Sequence, residues 1–137
     1  MSEKVIAYDV TLRDGTQGEG ISFSVQDKIR ISHKIDELGV KYIEGGWPGS
    51  NARDEGFFEQ VKKEKYSNSN IVAFGSTRRA KTTCEKDSNI QALLKAETSA
   101  VTIVGKTWDF HVSEALKILN EENLELISDS INYLSKR

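Results

Sequence analysis

The stretch Asp9-Val10-Thr11-Leu12-Arg13-Asp14-Gly15-Thr16-Gln17 follows directly on the apolar run Val5–Asp9. Its reading decides the fold. A short β-branched run that ends in a dense set of polar and charged residues reads as a strand delivering a functional loop at its C-terminal end, where α/β active sites collect. An arginine and an aspartate side by side at such a point suit two tasks. The carboxylate can ligate a hard divalent cation, and the guanidinium can stabilise a developing oxyanion. Gly15, Gly18 and Gly20 allow the loop to bend tightly. An Arg-Asp-Gly triplet taken alone is equally well an ordinary surface ion pair in a turn.

Working outward, Ser24 caps a helix over Val25–Leu38, where Val25, Ile29, Ile35 and Leu38 fall near helical spacing with Lys28, Arg30, Lys34 and Glu37 between them. Gly39 ends that helix. A second strand covers Val40–Glu44 and breaks at Gly45-Gly46-Trp47-Pro48-Gly49. A second helix covers Arg53–Glu64 and a third strand Ile71–Phe74, closed by Gly75. A third helix covers Asn89–Ala96 and a fourth strand Ala100–Val104, closed by Gly105. The remainder reads as helix, with a stripe of Leu116, Leu119, Leu124, Ile127, Ile131 and Leu134 interrupted near Asn120. Strict alternation of strand and helix predicts α/β architecture with parallel strands and helical crossovers. It fits either a complete doubly wound sheet of four strands or the first half of a (β/α)8 barrel, which takes ~250 residues in full.

Composition narrows the function class. Of 137 residues, 29% are charged and 37% hydrophobic, and 19 basic against 21 acidic side chains leave a net charge of -2. No basic block points to nucleic acid, and no apolar run is long enough to span a bilayer. Met1-Ser2-Glu3-Lys4 has no signal-peptide layout, and a lone Cys84 excludes an internal disulfide, so a cytoplasmic protein of one domain is expected. Gly15-x-x-Gly18-x-Gly20 is not the dinucleotide-binding pattern.

The loop is not isolated. Thr11-Leu12-Arg13-Asp14-Gly15-Thr16-Gln17, together with Tyr42-Ile43-Glu44-Gly45-Gly46 at the second strand end, resembles the signature of the DRE-TIM metallolyases. These comprise isopropylmalate, homocitrate and citramalate synthases and hydroxymethylglutaryl-CoA lyase. Glu19-Gly20-Ile21-Ser22-Phe23-Ser24, Gly46-Trp47-Pro48-Gly49-Ser50-Asn51, Phe74-Gly75-Ser76-Thr77-Arg78-Arg79 and Gly105-Lys106-Thr107-Trp108-Asp109 resemble the citramalate synthase branch. The resemblance implies the N-terminal half of a TIM (β/α)8 barrel, residues 1–137 being its first four βα units. It implies an acyltransferase that condenses acetyl-CoA with a 2-keto acid, pyruvate to citramalate, in branched-chain amino-acid biosynthesis.

The roles implied by the family are these. Asp14 is one ligand of a divalent metal (Mg, Mn or Zn). Arg13 stabilises the enolate or aldol oxyanion, Gln17 lies close to both, and Glu44 holds Arg13 in place. Arg78, after the third strand, is a candidate grip on substrate phosphate or carboxylate. The family completes its metal site with a His-x-His pair. Here His33 reads as a solvent-facing helix residue and His111 as a residue at a helix start near the site. Ala52, Ala80 and Glu97 depart from the branch, which carries proline at the first two and glycine at the third. The competing expectations are a 2-isopropylmalate synthase, which differs only in the keto acid, and a non-catalytic half-barrel. Either way, two open sheet edges and poorly covered barrel-facing side chains, Ile6, Ile43, Val72 and Ile103 or their alternates, predict a homodimer or larger species.

Overall fold

A computed structural model of the chain describes residues 5–137; Met1–Lys4, and the reading of them as free of a leader, lie outside it. Four parallel strands form one sheet in the order β1-β2-β3-β4: β1 (Tyr8–Asp9), β2 (Tyr42–Gly46), β3 (Asn70–Ser76) and β4 (Ala100–Val104). Between and after them run α1 (Val25–Glu37), α2 (Ala52–Val61), α3 (Ser88–Lys95), a short α4 (Asp109–His111) continued by a π-helical turn over Val112–Leu116, and α5 (Asn120–Leu134). Sequential order with every neighbour parallel is barrel topology; a doubly wound sheet reverses its strand order at a switch point. The half-barrel reading therefore stands.

The helices start where the sequence indicates. Ser24 forms a complete capping box with Asp27, and Asn51 and Asp87 accept backbone N–H bonds at the starts of α2 and α3. Gly39, at φ 78°, ends α1 in the left-handed conformation. Glu97 takes the same conformation after α3, with φ 54°. That is the backbone reason a glycine suits the position.

At the C-terminal end of α1, Asp36 accepts backbone N–H bonds from Ser67, Asn68 and Ser69 at 2.7–3.0 Å and so fastens the loop before β3. Burial pushes its carboxyl up, but those three donors outweigh it and the net shift is downward.

One face of the sheet packs on the helices. Ile43, Ile71 and Ala73 join Ile29, Ile35, Phe57, Phe58, Ile90 and Leu93 in the core, with Val101 and Ile103 against it. The other face is concave. Tyr8 on β1 and Thr102 on β4 are separated by two intervening strands, yet their hydroxyl oxygens lie 2.7 Å apart. The alternation puts Tyr8, Glu44, Val72, Phe74 and Thr102 on this inner side. Of the side chains expected to face the barrel interior, Val72 does so, while Ile43 and Ile103 face the helices.

Two further expectations are corrected. Lys28 does not sit on the polar side of α1: it is fully buried, with Nζ 2.6 Å from Asp54 Oδ1 on α2 and 5.1 Å from the Phe57 ring centroid. Burial pushes its ammonium down, opposed by Asp54. The stripe on the last helix is also rotated. Asn123, Leu126 and Ser130 are the buried positions of α5, whereas Leu124 and Ile131 are exposed. Polar anchoring sets that rotation: Asn123 Nδ2 donates to Lys106 O, and Ser130 Oγ accepts from Arg78 N.

Gly45 and Gly46 let α2 come close to β2. A Cβ on Gly45 would lie 2.4 Å from the Phe57 ring, and one on Gly46, at φ 149°, would meet the Asp54 carboxylate and Lys28 Nζ within 2.8 Å. The buried pair thus sits directly against the end of β2. Lys28→Ala is expected to destabilise the fold by about 3–5 kcal/mol, because it leaves the Asp54 carboxylate buried without its cation. Chemical denaturation checks this; a loss below about 1 kcal/mol would place the pair among solvent-screened surface bridges.

Candidate active site

The site begins with the turn that follows β1. The Val10 carbonyl accepts from Arg13 N, Asp14 N and Gly15 N at 2.9–3.2 Å, and the Asp9 carboxylate accepts from Thr11 N and Thr11 Oγ1. Leu12, fully buried, plugs the turn into the core. With Leu12 pointing down, Arg13 lies across the concave face. Of the loop glycines only Gly20 has a positive φ, 76°; at Gly15 a Cβ would find ordinary contacts. The tight bending expected of all three is needed at one.

Arg13 is held from three directions. Its Nε donates to Glu44 Oε1 at 2.5 Å, its Nη1 donates to Asp14 Oδ1 at 2.8 Å, and its Cζ stands 4.1 Å from the Phe74 ring centroid. Glu44 is buried, and its second oxygen accepts from the Tyr8 hydroxyl at 2.6 Å. The phenol has one proton, given to Glu44, so toward Thr102 Oγ1 it accepts. Burial, then the bond to Glu44, pushes the Tyr8 hydroxyl up to about 12. It stays protonated across the physiological range, as a donor must. The Nη2 group of Arg13 has no hydrogen-bond partner among the described residues. A planar cation fixed through Nε and Nη1, with Nη2 free, is suited to receiving negative charge on an oxygen.

The structure therefore brings together Arg13, Asp14 and Glu44. Gln17 is near them in sequence, at the end of a 3-10 turn (Gly15–Gln17), and is exposed. Arg78 is committed elsewhere: its Nε and Nη2 grip Asp129 of α5 at 3.0 and 2.5 Å, and its Nη1 donates to Thr82 O. Arg78 thus anchors α5 to the loop after β3, while Arg13 keeps its Nη2 free of hydrogen bonds among the described residues.

His33, expected to face solvent, stacks on Tyr66 at 4.8 Å and meets Glu64 at 3.0 Å on the helical layer. His111 is exposed beside Trp108 and Phe110. Trp47 is structural: its Nε1 donates to Asn89 Oδ1 and its ring meets the Phe74 ring edge-on. Cys84 is buried and its thiol is pushed up by burial, the state of an unreactive cysteine. Tyr8, Phe74 and Thr102 were not foreseen as site residues. Their signal is the even spacing of Tyr42-Glu44 and Val72-Phe74, but it needs the strand register to become readable.

Asp14 is more than half exposed, and only one of its oxygens is engaged by Arg13. It fits as a single hard-oxygen donor to a divalent cation. No cluster of three or more His, Cys, Asp or Glu side chains capable of holding a metal occurs among the described residues. None of the helices described is long and apolar enough to cross a membrane.

Comparison with known proteins agrees with this geometry. The HMGL-like family model matches residues 4–137. The chain is 66% identical to an (R)-citramalate synthase of Geobacter sulfurreducens over 127 residues, covering 93% of this chain and 24% of that protein. It is 52% identical to an (R)-citramalate synthase of Aquifex aeolicus over 136 residues, covering 99% of this chain and 26% of that protein. The chain thus spans about a quarter of the length of the curated relatives it matches. Among solved structures, the HMG-CoA lyase of Bacillus subtilis superposes with a TM-score of 0.71 at 17% identity, covering 98% of this chain and 44% of the lyase. That likeness concerns the fold.

Proposed function

The chain belongs to the HMGL-like family, and from that premise we propose that it forms the first four βα units of a cytoplasmic acyltransferase that condenses acetyl-CoA with pyruvate to give citramalate and free CoA. The observation that carries the proposal is Arg13, held by Glu44 and Asp14 through Nε and Nη1 and free at Nη2, in the turn after β1. The identities of 66% and 52% to citramalate synthases support the choice of pyruvate as the keto acid.

The condensation removes a methyl proton from acetyl-CoA and forms a C–C bond to the keto carbon of pyruvate. The keto oxygen takes up negative charge and then a proton. Water cleaves the thioester and CoA leaves. Arg13 supplies Nη2–H donors to the oxygen on which charge develops. Glu44 and Phe74 keep that donor edge aimed, and neither needs to move during the reaction. Gln17, on the same loop, supplies a polar side chain beside the site. Asp14 offers its free oxygen to a divalent cation (Mg, Mn or Zn), which when bound polarises the keto carbonyl.

In the complete enzyme Arg13→Lys retains the charge and loses the planar fork. Its kcat is expected to fall on the order of a hundredfold with little change in KM, as when one oxyanion donor is removed. Steady-state kinetics check this, and near-normal turnover would remove Arg13 from the mechanism.

Among the described residues no group of three or more His, Cys, Asp or Glu side chains gathers to hold a metal, and Asp14 offers one a single carboxylate. The isolated chain, supplied with Mg²⁺ or Mn²⁺, is expected to release no CoA from acetyl-CoA in the presence of pyruvate. The assay is a thiol reagent at high protein concentration. Pyruvate-dependent release that Asp14→Ala abolishes would overturn this division of the site.

The same chain is proposed to self-associate. Val5 and Ile6 before edge strand β1 and Val104 on edge strand β4 are exposed, and the surface of α5 carries exposed Leu124 and Ile131. Sedimentation velocity is expected to show a dimer or larger species; a monomer at high concentration would contradict it.

A further inference from the structure

Glu44 cannot hold Arg13 unaided. A carboxylate can turn about its terminal torsion, which is broad and roughly two-fold, and a single bond from Arg13 Nε to Oε1 leaves that rotation open. The concave face supplies a second contact. The Tyr8 hydroxyl donates to Oε2 at 2.6 Å and itself sits 2.7 Å from Thr102 Oγ1. Four side chains from three strands and one loop thus form a directional chain, in which Thr102 donates to Tyr8, Tyr8 donates to Glu44, and Arg13 donates to Glu44 from the opposite side.

We propose that Tyr8 is a positioning residue for Arg13: its hydroxyl fixes the plane of the buried Glu44 carboxylate, which sets the direction in which the free Nη2 of the Arg13 guanidinium points. This rests on the function proposed above, because it gives that direction a catalytic purpose. The anchor is well placed for the task. The Glu44 side chain is 2% exposed and that of Arg13 20%, so the orientation of the carboxylate is set by the donors that the fold supplies, whereas a water standing in for the Tyr8 hydroxyl would have no strand to hold its direction. The phenol's elevated value of about 12 keeps it a donor wherever the enzyme works. Thr102 ties the same hydroxyl to β4, so the aim of Arg13 is referred to the whole curved sheet and not to its own loop alone.

The test uses the full-length protein that contains this chain, with Tyr8→Phe, Arg13→Ala and the double variant. Tyr8→Phe is expected to lower kcat by roughly ten- to hundredfold, the scale of a small misplacement of a catalytic group, while KM for acetyl-CoA changes by less than about twofold. In the Arg13→Ala background the same substitution is expected to cost less than about twofold more, since residues acting through one another are not additive. Additive losses, or a Tyr8→Phe enzyme with normal kcat, would overturn the proposal.

A second readout does not depend on turnover. With arginine labelled in nitrogen-15, the Arg13 Nε–H resonance, assigned by its loss in Arg13→Ala, is expected to be protected from solvent exchange and to lose that protection in Tyr8→Phe. Thr102→Val, which removes the outer partner and keeps the Tyr8–Glu44 bond, is expected to reduce the protection less. A resonance unchanged in Tyr8→Phe sinks the inference whatever the enzyme catalyses. A wild-type protein that releases no CoA with pyruvate, but shows the expected loss of protection, would sink the assigned reaction and leave the positioning role standing.

Discussion

A carboxylate buried on the inside of a curved sheet is the constraint around which this structure is arranged. Glu44 is almost wholly withdrawn from solvent. An ionised carboxylate so placed is costly unless it is paired and hydrogen-bonded. Both of its oxygens are satisfied, and both donors originate at β1: Tyr8 within the strand and Arg13 in the turn after it. The turn must therefore fold back over the sheet, and Leu12 and the Asp9 carboxylate make it do so. The strand and the loop that carry the chemistry are joined to β2 through one side chain as well as through the parallel ladder.

A second buried charge organises the outer layer, and the two are connected. Lys28 and Asp54 join α1 to α2, while the other Asp54 oxygen accepts from Trp47 N at 2.8 Å and so fixes the loop after β2. The Trp47 indole donates to Asn89, whose amide donates in turn to Ser76 O at the end of β3. The Trp47 ring meets Phe74 edge-on, and Phe74 lies under the Arg13 guanidinium. Packing on the helical side thus sets the platform on which the site cation rests. Small residues are required where these layers meet, which is why β2 ends in Gly45-Gly46.

Much of this was legible in the sequence because it rests on local rules. Ser24, Gly39 and the strand–helix alternation place α1 and the order of the elements, and the Arg13-Asp14 loop with Glu44 marks the centre of the site. What was not legible depends on pairing between distant segments. Lys28 looks like a solvated lysine until α2 brings Asp54 to it. Leu124 and Ile131 look like core until Asn123 and Ser130 find the Lys106 carbonyl and the Arg78 amide and turn α5 the other way. Arg78 looks like an unpaired cation until Asp129 arrives on the same helix. A one-residue change of face in a strand separates Ile43 from Glu44, and sequence periodicity over five residues does not say which of them faces inward.

That last point alters how the open sheet should be understood. Were the inner face lined by isoleucines, the natural way to cover it would be to press two such faces together. The observed face instead sets Tyr8, Glu44 and Thr102 beside Val72 and Phe74, and the polar atoms of the first three are already engaged with one another or with Arg13. Burying it against an apolar surface would gain little area and would threaten the partners of a buried charge. Exposed apolar side chains lie elsewhere, among them Val5 and Ile6 before β1, Val104 at the end of β4, Trp108 and Phe110 around α4, and Leu124 and Ile131 on α5. The self-association proposed above is therefore assigned to these flanks and not to the concave face.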